Sequence, residues 1–107
     1  MGTDRLQVEC SHHIDASEPD AEGFYEYYYE YDIYCFTLGG LSLVVRSYSD
    51  TSAQASVLRL EEAGKSRPLQ PEDLKRPLVQ QTREHLQSLG KQDLRWFNPK
   101  YARYDPL

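Results

Sequence analysis

From Arg5 to Ile14 apolar and polar residues alternate. Leu6, Val8, Cys10, His12 and Ile14 fall on one side of an extended chain, and Arg5, Gln7, Glu9, Ser11 and His13 on the other. That period of two predicts a half-buried strand over 5–14. Asp15 to Gly23 is acidic, contains Pro19 and Gly23 and has no apolar period, so it reads as a loop. Tyr25 to Leu38 is dense in strand-forming tyrosine and predicts a second strand over 25–38, long enough for a bend or bulge. Gly39-Gly40 supplies the positive φ angles of a two-residue hairpin turn. Leu41 to Ser49 (41–49) and Ala53 to Leu60 (53–60) are the third and fourth strands, joined through the turn-forming side chains of Asp50, Thr51 and Ser52.

The two hairpins fix a register that can be checked against itself. With Gly39 and Gly40 in the turn, Phe36 faces Leu43 and Tyr34 faces Val45. With Thr51 and Ser52 in the next turn, Leu43 faces Leu60 and Val45 faces Leu58. Both turns gather Phe36, Leu43, Leu60, Tyr34, Val45 and Leu58 on one face, which is therefore the expected core. The opposite face would carry Tyr29, Tyr31, Ile33, Arg46, Tyr48, Val57 and Arg59.

Glu61 to Arg67 reads as an exposed charged loop. Pro77 then suits the first position of a helix over 77–89, with Leu78, Thr82, Leu86 and Leu89 as its apolar stripe and Gly90 as its left-handed cap. Leu74 extends the stripe backward, so a kinked helix from Pro71 is the alternative. Leu94 and Trp96 alternate as in a short final strand, and Tyr101, Tyr104 and Pro106 are expected to wrap over the body. The expected fold class is α+β: a four-stranded antiparallel meander sheet with one C-terminal helix packed on one face. The 107 residues suit one domain.

No apolar run approaches the roughly 20 residues of a membrane-spanning helix, so no membrane association is expected. Met1 to Cys10 has no continuous apolar segment of the kind an export leader needs. A cytoplasmic location follows as an expectation, with Cys10 and Cys35 as free thiols in or near the core.

Charge changes the picture. Residues 1–45 hold nine acids and one base, whereas residues 46–107 hold eight acids and eleven bases. No lysine or arginine occurs between Leu6 and Val45. Either the acidic half folds against the basic half and neutralises it, or the acids form a surface that steers a basic partner inward. The net charge of −5 argues against nucleic acid, whose phosphates are bound by lysine and arginine.

Candidate chemistry is sparse. Cys10, His12, His13 and Asp15 can all ligate metals, but alternation sends Cys10 and His12 to one face and His13 and Asp15 to the other. No metal and no cofactor is therefore expected. Glu26 and Glu30 would lie about 13 Å apart along a strand, too far for a glycosidase pair. No phosphate loop or nucleophile elbow occurs, so an enzyme is the less favoured reading. The expected function is noncatalytic binding of a basic protein through Tyr25, Tyr27, Tyr29, Glu26, Glu30 and Asp32, with tyrosine as anchor. The alternative is a small ligand-binding or enzymatic domain that uses Tyr31, Arg46, Tyr48 and Arg59 to hold an anion or planar group. Exposed tyrosines would also suit a homodimer.

Overall fold

The computed structural model describes residues 5–107. The leader expectation over Met1–Cys10 falls partly on residues 1–4, outside the described residues. The chain forms an α+β fold with one α-helix and a seven-stranded, mostly antiparallel sheet. The strands are β1 (Gln7–Ala16), β2 (Tyr28–Leu38), β3 (Leu41–Tyr48), β4 (Gln54–Glu62), β5 (Lys65–Arg67), β6 (Asp93–Asn98) and β7 (Arg103–Pro106), and the helix α1 is Pro77–Ser88.

The expected meander is the first half of this sheet, and three further strands correct it. Strand order is β1-β2-β3-β4-β6-β7, with β5 also paired to β4. The stretch read as a charged loop is a hairpin, in which Ala63 and Gly64 both adopt positive φ and return the chain as β5 along β4. The segment carrying α1 then brings β6 back parallel to the other end of β4, Gln54–Val57. The tail does not wrap over the body. It forms the edge strand β7, held where the Trp96 indole donates to the Pro106 carbonyl at 3.1 Å.

The first hairpin register is as read: Leu38 faces Leu41, Phe36 faces Leu43 and Tyr34 faces Val45. The second holds at Leu43 with Leu60 and then slips. A bulge makes Val45 face Val57 rather than Leu58. Val57 is therefore in the core, while Leu58 is only half-buried. The extra residue lets Val57 and Leu60, an odd number of positions apart, both point inward.

The core lies between α1 and one face of the sheet. Phe36, Leu43, Val45 and Leu60 meet Leu78, Val79 and Leu86 there, and Leu69, Leu94 and Trp96 complete it. Gly90 caps the helix with positive φ as expected, but Leu89 at the cap is exposed. The segment from Pro71 is a separate 3₁₀ turn. Its Asp73 carboxylate is buried and receives a two-pronged hydrogen bond from Arg67, a third from Arg76 and a fourth from the Gln70 backbone. Those guanidinium donors hold its carboxyl well below the usual carboxylate range.

A 12-residue helix spans about 18 Å, whereas the 11 residues of β2 reach about twice that. Burial along β2 falls accordingly, from covered Phe36 to bare Tyr28. The uncovered end of β1 and β2 stands out as an arm on a molecule measuring 60 × 33 × 29 Å. The strand expected to be half-buried is thus open: Ile14 is 57% exposed and Cys10 is exposed rather than in the core. Cys35 pairs with Glu9 and Cys10 with Tyr34, so the two free thiols point to opposite faces. No helix among the described residues is long and apolar enough to cross a membrane.

Candidate interaction surface

The loop joining β1 to β2 is built on two short polar side chains. Asp20 accepts hydrogen bonds from the backbone N–H groups of Glu22 and Phe24, both at 2.9 Å, and Gly23 takes the positive φ that closes the turn. Ser17 Oγ accepts from the backbone of Glu26 at 2.8 Å and Tyr27 at 3.3 Å. These bonds satisfy the local backbone, so the aromatic side chains need not turn inward to protect it.

They point outward instead. Tyr25, Tyr27, Tyr28 and Tyr29 are each about half exposed, and Phe24 is 66% exposed. Tyr25, Glu26 and Tyr27 precede β2 rather than lying on it, which corrects the expected strand start. Two aromatic pairs result. Tyr25 meets Tyr28 at 5.4 Å between centroids, and Tyr27 stacks on Tyr29 at 6.1 Å. A second run of rings continues from Tyr29 to Tyr48 (6.0 Å), Tyr31 (5.6 Å) and His13 (5.4 Å) on the sheet face away from the helix.

Glu30 and Asp32 lie on the opposite face of β2, half-buried, and share one partner. His12 Nδ1 is 2.7 Å from Asp32 Oδ1, and its Nε2 is 3.5 Å from Glu30 Oε1. The hydrogen bond to Asp32 raises the His12 pKa above the ordinary histidine value, with Glu30 adding to the effect. His12 therefore sits on the arm between two of the predicted binding acids. Among the described residues no group of three metal-capable side chains converges.

Arg46, Tyr31 and Tyr48 come together, with the Arg46 guanidinium 4.7 Å above the Tyr48 ring. Arg59 does not join them. It pairs with Glu61 at 2.8 Å and lines a separate hollow with Leu58 and Phe97.

The decisive feature is which charges meet. Among the described residues, every arginine ion pair is made with an acid of the second half: Glu61, Asp73, Asp93 or Asp105. None joins an acid of 15–32 to a base of 46–107. Phe24 is the arm residue sequence reasoning missed, and its signal was an aromatic ring inside an otherwise polar loop. No family model, curated protein or solved structure matches the chain.

Proposed function

We propose that this protein is a noncatalytic interaction module that binds a basic protein through its acidic, tyrosine-rich arm. The observation that supports this reading most is that, among the described residues, no lysine or arginine pairs with an acid of 15–32, whose internal ion pairs are those of Glu30 and Asp32 with His12, on the same arm that leaves five aromatic rings in solvent. Large exposed apolar patches rimmed by polar residues mark interaction sites. Tyr25, Tyr27 and Tyr29 act as anchors, joined by Phe24. Glu26, Glu30 and Asp32 supply the field that draws in the partner, with Asp32 and Glu30 shared with His12. A reducing, cytoplasmic setting suits Cys10 and Cys35, which cannot bridge across opposite faces.

The test is capture from the native lysate with wild-type protein and with a Phe24→Ala/Tyr25→Ala/Tyr27→Ala variant as bait, at low and high salt. The expected result is a basic protein held by the wild type, released by salt and lost by the variant. Self-association of purified wild type with no retained basic protein would assign the arm to a second copy of the chain and overturn the reading.

A further inference from the structure

On the sheet face away from the helix, Arg46, Ser56 and Arg95 lie in one row across three adjacent strands. Neighbouring strands are about 4.8 Å apart, so the two arginine backbones flank Ser56 with room between them for a small group. Tyr48, Gln54 and Tyr104 complete a recess of about 180 Å³ around that row. This is below the roughly 300–1,000 Å³ of sites for drug-sized ligands and equals a few water volumes of about 30 Å³ each.

Each wall of the recess offers donors. Arg46 is held in place by its stacking on Tyr48 and makes no hydrogen bond or ion pair among the described residues. Its Nε is buried without a partner. Arg95 is aimed by Asp93, whose two oxygens take Nε at 3.1 Å and one terminal nitrogen at 2.8 Å. The other terminal nitrogen of Arg95 is left over. Asp93 also accepts from Gln54 at 3.2 Å, which ties that carboxylate to the rim. Two guanidiniums against one carboxylate leave a net positive charge, and the Ser56 hydroxyl can add a third donor. The other basic hollow differs, because its arginines are already committed: Arg59 to Glu61, and Arg67 to Asp73.

We propose that this recess is a binding site for a phosphoryl group. Guanidinium pairs match the several acceptor oxygens of a phosphate, and charge-assisted hydrogen bonds are the strong ones. The rings of Tyr48 and Tyr104 at the rim suit a phosphate ester carrying a planar substituent. This site differs from the partner surface on the arm in charge and adjoins it where the Tyr48 ring packs 6.0 Å from Tyr29.

The test is an NMR titration of amide shifts with inorganic phosphate and, separately, with phenyl phosphate. Saturable shifts at Arg46, Ser56 and Arg95 are expected for both, with phenyl phosphate binding more tightly. Arg46→Gln should weaken binding by about tenfold or more, and Arg59→Gln should leave it unchanged. Far-UV circular dichroism verifies the fold of each variant. If Arg46→Gln does not fold, Ser56→Ala is the substitute and should weaken binding severalfold. No saturable response to inorganic phosphate, or undiminished affinity in the folded variant, overturns the proposal.

Discussion

Truncating Val57 to alanine tests the bulge that sorts the two faces of the sheet. Val57 is 3% exposed and faces Val45 in the core. Removing its two methyl groups forfeits about 1.6 kcal/mol of transfer free energy, at about 0.8 kcal/mol per buried carbon. The residual cavity brings the expected loss to about 2–3 kcal/mol. Leu58 loses three carbons, but it is half-buried and borders an open hollow, so Leu58→Ala should cost about 1.2 kcal/mol with little cavity left behind. Urea unfolding followed by the fluorescence of Trp96, the single tryptophan and itself buried, measures both variants against wild type. A larger loss for Leu58→Ala than for Val57→Ala would refute the observed register. It would also undo the placement of Arg46 and Ser56 in one row, because both depend on the same slip.

Three further outcomes are expected. Asp73→Asn removes the buried carboxylate that Arg67 and Arg76 share and should destabilise the fold by about 1.5–3 kcal/mol in the same urea assay at pH 7, since the two guanidiniums left behind reach solvent. Because the folded Asp73 pKa is depressed, its contribution is present above the ordinary carboxylate range and is lost as pH falls below it, so wild type and variant should converge in acid. The His12 pKa is raised, so its ion-pair contribution to stability is complete below the ordinary histidine value and lost as pH rises through the raised one. Over that same rise the arm gains net negative charge, so binding of a short oligolysine probe should tighten, and His12→Gln should flatten that pH dependence.

Local pattern carried the central hairpins well. Alternation around Gly39-Gly40 placed Phe36, Leu43 and Val45 correctly because a two-residue turn leaves one register. Leu58 was misplaced because a bulge inserts a residue that leaves no mark in alternation. The β5 hairpin turns on Ala63 as well as Gly64, and alanine carries no turn signal, so the whole segment looked like a charged loop. The parallel pairing of β6 with β4 is a long-range contact that no local pattern encodes. At the arm, composition pointed to the aromatic and acidic residues. It could not show that α1 stops short of the arm, nor that Tyr29 stands on the sheet face away from the helix. The Arg46–Ser56–Arg95 row was only partly legible, since Arg95 enters through that same parallel strand.

The measurement that bears most directly on the account is made on the Glu26→Gln/Glu30→Gln variant: folding stability in urea, and association with the captured basic partner. Glu26 is exposed and Glu30 is half-buried with only a long contact to His12 at 3.5 Å, and substitutions at such solvent-reached positions usually change stability by no more than about 0.5 kcal/mol. The account predicts stability within that margin and slower association, with the deficit shrinking as salt is raised because screening removes the steering field. Lowered stability with partner binding unchanged would mean that these acids serve the fold alone, and would contradict it.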